Sequence, residues 1–155
     1  IPIARNWNQI GRAILGDWQL SGITRYQTGP YFTVNGNTSI GSRRADYLGG
    51  DVQLDDWTVQ RYFNTAAFAP APATQRGNSG VGIVQGPPLQ LWDISVRKEF
   101  KPRERITVRV QADFFNVFNK ANLRAPSTDA SSLSFGAISS SGPGRNIQLG
   151  LKVTF

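Results

Sequence analysis

From Arg105 to Phe118 the chain reads Arg-Ile-Thr-Val-Arg-Val-Gln-Ala-Asp-Phe-Phe-Asn-Val-Phe. Ile106, Val108, Val110, Ala112, Phe114 and Phe118 fall on even positions, and Thr107, Arg109, Gln111 and Asp113 on odd ones. A strand sends successive side chains to opposite faces, so this stretch has one oily face and one charged face. A helix would mix the two sets around its axis. The β-branched and aromatic content favours the same reading. The alternation lasts about a dozen residues, longer than most soluble strands and long enough to cross a bilayer when tilted.

Three other segments repeat the pattern. In Asp17–Gln27, Trp18, Leu20, Gly22, Thr24 and Tyr26 share one face, and Asp17, Gln19, Ser21, Arg25 and Gln27 the other, with Ile23 the exception. Trp18 and Tyr26 lie about 27 Å apart at strand rise, a spacing that fits the two aromatic girdles of a membrane barrel. It fits a soluble sandwich with core aromatics equally well. In Leu91–Phe100, Trp92, Ile94, Val96 and Phe100 oppose Asp93, Ser95, Arg97 and Glu99. Lys98 stands on the apolar side, where a long stem lets it snorkel to an interface. In Arg145–Phe155, Ile147, Leu149, Leu151, Val153 and Phe155 alternate with Gln148, Gly150, Lys152 and Thr154. Lys101-Pro102-Arg103-Glu104 reads as a tight polar turn, which makes a hairpin of the segments on either side.

Between these segments lie two long stretches, Thr28–Pro88 and Asn119–Gly144, which take much of the chain's 16 Gly and 9 Pro. Structureless connections of this length are uncommon in compact domains, and are usually functional or disordered. Connections therefore run long, short, long, with the long ones at one end of the strands. Outer-membrane barrels have this asymmetry, and a soluble sandwich has no reason for it. Ile1–Gly16 reads as the end of a strand and a connection, with a helical turn near Ile10–Leu15. The expected fold is all-β, an antiparallel up-and-down meander: the last strands of a transmembrane β-barrel with two long extracellular loops.

The composition removes most chemistry. The 155 residues hold no Cys, so disulfides and thiolate metal sites are out. They hold no His, which removes the usual general base, the usual zinc ligand and every Ser-His triad. The net charge of +7 is spread along the chain. No helix is available to carry it into a groove, so nucleic acid is not the expected partner. Gly77-Asn78-Ser79-Gly80-Val81-Gly82 is Gly-rich but leads to Pro87-Pro88 rather than a helix, against a phosphate cradle. Asp55 and Asp56 are adjacent and point apart in an extended segment, against a glycosidase pair. Asp93 and Asp113 share the polar face with Arg97 and Arg109, which reads as a charge lattice. Trp57, Tyr62 and Phe63 are candidates to stack a sugar or peptide ligand, although loop aromatics more often pack a loop against itself. The chain lacks Met and is read as a fragment.

Several motifs carry a family likeness. Gly16-Asp17-Trp18-Gln19-Leu20-Ser21-Gly22-Ile23, then Gly29-Pro30-Tyr31-Phe32-Thr33-Val34, resembles the "GGWQLSG … SGxPFTV" segment of TonB-dependent outer-membrane receptors. The subgroup is the Oar-like one, with a carboxypeptidase-regulatory-like domain at its N-terminus. Tyr62-Phe63-Asn64-Thr65-Ala66-Ala67-Phe68 resembles "WFNPAAF", and Gly86-Pro87-Pro88-Leu89-Gln90-Leu91-Trp92-Asp93-Ile94-Ser95 resembles "GPGxxNWDLS". Glu104 to Asn122 is similar to "ERxRLQFRAEFFNxFNHxNF", departing at Lys120-Ala121-Asn122 where the family commonly has His. Arg145–Phe155 is similar to the terminal strand. The likeness covers nearly the whole chain in the family's order.

The resemblance implies that residues 1–155 are the C-terminal part of a receptor barrel of about 22 strands, with plug and TonB box elsewhere. It implies uptake of a bulky nutrient of unknown identity, no enzymatic activity and no cofactor. Arg25, Asp93, Arg97, Arg109, Asp113 and the even-numbered Lys152 would line the lumen. Outer-membrane lipid would be one partner, and TonB another through a region absent here. The barrel-assembly machinery would read the last strand, at Ile147, Leu149, Gly150, Leu151, Val153 and Phe155, by strand addition at its open edge. The competing readings are a soluble all-β ligand-binding or surface-structural domain, and an outer-membrane hydrolase, which the missing His and Cys disfavour.

Overall fold

The computed structural model describes residues 16–36 and 43–155. The end-of-strand and helical-turn readings of Ile1–Leu15 lie outside these residues. Among the described residues eight strands occur in order: β1 (Trp18–Gln27), β2 (Tyr31–Phe32), β3 (Asp46–Tyr47), β4 (Phe68–Ala69), β5 (Val84–Gln85), β6 (Leu89–Arg103), β7 (Ile106–Phe115) and β8 (Asn146–Thr154). The only helical element among the described residues is a single 3-10 turn, Thr65–Ala67. The chain divides into two compact units. One holds the described residues up to Tyr26 with Gln90–Lys120 and Gly144–Phe155, and the other holds Gln27–Leu89 and Ala121–Pro143.

The first unit is a sheet in the order β1-β6-β7-β8. The β6–β7 ladder pairs Ile94 with Phe114, Val96 with Ala112 and Lys98 with Val110. The β7–β8 ladder pairs Val110 with Leu151, Ala112 with Leu149 and Phe114 with Ile147. Directly paired residues project from the same face, so the even residues of β6 and β7 and the odd residues of β8 form one apolar surface. Lys98 lies over the Trp18 ring, 4.9 Å from its centroid, which adds β1 to that surface. Much of it is open to solvent among the described residues. Leu149 is 81% exposed and Trp18 45%, while Val108 and Phe114 are half-buried.

The ends of the strands differ from the sequence reading in ways the backbone explains. β6 begins at Leu89 and runs through Pro102 to Arg103, so the turn is Glu104-Arg105 and not Lys101–Glu104. A register shift between Phe100 and Arg103 makes this possible. Pro102 has no N–H to offer a ladder, and a bulge is where a strand tolerates proline. β7 stops at Phe115 rather than Phe118, because Asn116 turns into the left-handed region at φ +52°. Asn is among the few residues that accept this conformation.

The second unit gives the two long connections a core of their own. Every buried hydrophobic residue among the described residues belongs to it: Val34, Ala45, Tyr62, Phe63, Ala67, Phe68, Ala71, Val84 and Ile138. Tyr31–Phe32 does not prolong β1 but pairs with Val84–Gln85, and Asp46–Tyr47 pairs with Phe68–Ala69. Phe63 packs edge-on against Phe68 at 6.0 Å and Phe135 at 5.3 Å between ring centroids. The two connections are stitched together by main-chain bonds. The Asn35 N–H donates to Thr128 O, the Ala130 N–H to Asn35 O, the Tyr62 N–H to Gly136 O and the Ile138 N–H to Val59 O.

Two glycine positions explain motif residues. A Cβ on Gly29 would stand 1.7 Å from Gly86 O, so the two ends of the first connection touch backbone to backbone. The Gly86 N–H donates to Pro30 O at 2.8 Å across the same crossing. A Cβ on Gly77 would stand 1.9 Å from Arg44 O. The Gly-rich stretch after it lies along 44–47, and the Ser79 N–H donates to Ala45 O. Gly77 thus serves close packing, whereas Gly82 takes the left-handed region at φ +63°.

Candidate functional site

The sheet presents two surfaces of opposite chemistry. On the apolar one, aromatic rings gather towards both ends of the strands. Tyr26, Trp92 and Phe118 lie at the end from which the long connections leave, and Trp18, Phe100 and Phe155 lie towards the Glu104-Arg105 turn. Trp92 and Phe118 meet edge-on at 5.7 Å between centroids. From Trp92 to Phe100 is about 27 Å along the strand, or about 20 Å along the sheet normal to the rims after a tilt of about 40°. That is close to the apolar band of an outer-membrane barrel, about 25 Å tall. Lys98, the one charge inside this field, is buried: its amine donates to Gly16 O at 2.9 Å and caps the Trp18 ring. It is held in place by a carbonyl and a ring, where the sequence suggested a free, snorkelling end.

The polar surface carries Arg25, Asp93, Arg97, Arg109, Asp113 and Lys152 together. Lys152 sits directly opposite Arg109, so its even number puts it with the odd residues of β7. Most of the charges are engaged. Arg109 pairs with Glu99, its partner across the ladder. Arg97 donates to Gln19 on β1. Asp113 accepts from Gln111 and from Ser95, its ladder partner. Asp93 Oδ1 accepts the Asn116 N–H at 2.9 Å. The charge lattice is present, but its partners are Glu99, Gln19, Ser95, Gln111 and a main-chain N–H, and not Asp93 or Asp113 on the two arginines. Among the described residues Arg25 and Lys152 have no side-chain partner.

Asn116 is a junction that alternation alone did not single out. Its side-chain amide donates to Lys120 O at 2.9 Å, and its side-chain oxygen accepts the Lys120 N–H at 3.0 Å. The next residues extend the clasp. The Val117 N–H donates to Trp92 O on β6, and Asn119 Oδ1 accepts the Arg145 N–H just before β8. Residues 116–120 thus tie the end of β7 to both neighbouring strands. The signal was in the sequence, as two Asn spaced three apart at the end of an alternating run.

In the loop unit, Phe63 is fully buried and Tyr62 is 8% exposed. Both pack in the core of the loop unit, the alternative role that the sequence offered for loop aromatics. Burial also pushes the Tyr62 phenol above its ordinary value. Trp57 remains 47% exposed, braced by the Tyr62 ring at 5.2 Å. Beside it Arg61 bonds Asp56 at 3.1 Å across an exposed turn. Asp129 is held below the usual carboxylate range, first by the Ser131 hydroxyl and then by the Ser131 N–H.

No group of three or more potential metal ligands gathers among the described residues. No helix among them is long and apolar enough to cross a membrane. No curated protein and no solved structure matches the chain. A family model described as an outer membrane beta barrel domain matches residues 1–148. The chain belongs to the outer membrane β-barrel domain family, and its place is the bacterial outer membrane.

Proposed function

We propose that the chain is the wall and outer face of a TonB-dependent receptor that takes up a bulky nutrient. The observation that carries this reading is the pairing of a charge-laced polar surface with connections that fold around their own core. A lumen wall needs fixed, hydrogen-bonded polar groups. A ligand arriving from outside meets a built surface rather than loose loops. Arg25, Asp93, Arg97, Arg109, Asp113 and Lys152 line the path, and Trp57 is the surviving loop-contact candidate. The chain performs no catalysis in this reading.

Two partners complete the proposal. TonB engages a region outside this chain and couples uptake to the inner-membrane proton gradient. The barrel-assembly machinery recognises β8, whose apolar side chains Ile147, Leu149, Leu151 and Val153 are all exposed. Gly150 lies on the other face, opposite Gln111, and Phe155 follows the strand's last residue. A strand with a free edge offers a row of N–H and C=O groups for addition. The test is nutrient-limited growth of the native host with and without its TonB system. Growth that depends on both this protein and TonB supports the reading. Growth that depends on this protein but survives loss of TonB would mark a passive pore instead.

A further inference from the structure

The register shift at the end of β6 changes which surface its last arginine joins. Up to Phe100, which pairs with Val108, the even residues of β6 stand on the apolar surface. Strict alternation would therefore place Arg103 on the polar wall with Arg97 and Glu99. Beyond the shift Arg103 pairs with Ile106, and paired residues share a face. Ile106 belongs to the apolar surface, so Arg103 does too. Re-aiming one side chain is a characteristic effect of a bulge.

The surroundings give this placement a purpose. Trp18 and Phe100 lie on the same surface towards the same end, half-exposed at 45% and 42%. Aromatic rings of this kind mark the headgroup level of a bilayer. Arg105 occupies the turn itself, and Lys101, Arg103 and Arg105 are all exposed. Among the described residues none of these three has a side-chain partner. Glu104 is the single acidic group between them. The edge of an oily, lipid-facing surface thus ends in an aromatic rim followed at once by a net excess of free cations.

We propose that this rim is a docking site for the headgroup of an anionic phospholipid, with Arg103 and Arg105 on the phosphate and Trp18 and Phe100 against the upper acyl chain. A guanidinium presents paired N–H donors that match phosphate oxygens. Each basic residue at an anionic membrane surface strengthens binding by about fivefold. Short turns of outer-membrane barrels face the periplasm, so the lipid belongs to the inner leaflet. The proposal rests on the outer-membrane family membership and on the bulge, and is independent of what the barrel transports.

The test uses the intact protein, purified in neutral detergent and titrated with lipid under native mass spectrometry. Phosphatidylglycerol should be retained at concentrations where phosphatidylcholine is not. The Arg103→Gln, Arg105→Gln double variant should need about tenfold more phosphatidylglycerol or more, while Arg103→Lys, Arg105→Lys, which keeps the charge and loses the paired donors, should fall between that variant and the parent. Heat-modified migration in gels checks that each variant keeps its barrel. Phosphatidylglycerol binding by the glutamine variant equal to the parent's would overturn the proposal. So would inorganic phosphate displacing the lipid completely, since that would describe an ion site with no part for the lipid.

Discussion

The sheet and the loop unit solve opposite problems with the same kinds of residue. The loop unit turns a set of Val, Phe and Ile side chains into a core, and Phe63, Val34 and Val84 have no exposed surface at all. In the sheet the same residue types point outward, and Leu20, Ile147, Leu149 and Leu151 are more than half exposed. A folded chain hides its apolar surface from water, so residues placed this way show which solvent each region meets. The loop unit is built for water and makes its own core. The sheet relies on a solvent that is itself apolar.

Substitutions that exchange these roles should have the largest effects. Phe63→Ala removes a ring that packs on Phe68 and Phe135, and should cost the loop unit about 3–5 kcal/mol. Limited proteolysis should then cut within residues 43–89 while leaving β6 to β8 intact. Cleavage spread evenly over both units would deny their independence. On the sheet, Leu149→Arg should cost about 2–4 kcal/mol if Leu149 lies near the bilayer midplane, and less nearer an interface. Denaturant titration in vesicles measures that loss. Leu149→Arg should leave proteolysis of the loop unit unchanged.

The clasp should come next. Asn116→Ala deprives a buried site of its bonds to Lys120 and strains a positive φ, for about 1–3 kcal/mol. Asn116→Gly keeps the backbone conformation but loses the side-chain bonds, so it should recover only part of the loss. Full recovery would mean that conformation alone matters there. Lys152→Gln removes an exposed cation with no side-chain partner among the described residues, and should change stability by less than about 0.5 kcal/mol.

The smallest effect concerns pH. The Asp129 carboxyl is held low by Ser131, so its folded form prefers to be charged. The stability it contributes is complete above the ordinary carboxylate value, about 3.9, and disappears as pH falls through the lowered one. The protection factor of the amides around Ser131, corrected for the intrinsic pH dependence of exchange, should therefore be flat from about pH 5 upward and fall only in stronger acid. Asp129→Asn should remove that step. A step near neutrality would contradict the assignment.

The sheet was legible in the sequence because a period of two leaves little freedom: Val108, Val110 and Ala112 face one way whatever else happens. The face of Lys152 followed from the same rule once β8 was paired. The loop unit was not legible, because its core comes from scattered residues such as Val34, Phe68 and Ile138, joined across up to about a hundred positions of chain. No local periodicity marks such a core. Phe63 and Tyr62 looked like ligand contacts for that reason, since aromatics in an irregular stretch have no visible partners until the stretch folds. The turn at Glu104-Arg105 was missed by reading Pro102 as a turn residue, when the strand absorbs it in a bulge. Asn116 shows the middle case, where a motif marks the place and only the hydrogen bonds show the reason.

The contact between the apolar surface and lipid can be measured residue by residue. Nitroxide labels placed singly from 147 to 154 in the membrane-embedded protein report collisions with oxygen, which concentrates in acyl chains, and with a water-soluble nickel complex. The account predicts oxygen maxima at 147, 149, 151 and 153 and low oxygen at 148, 150, 152 and 154. Uniform oxygen access along β8, or maxima at the even positions, would contradict it.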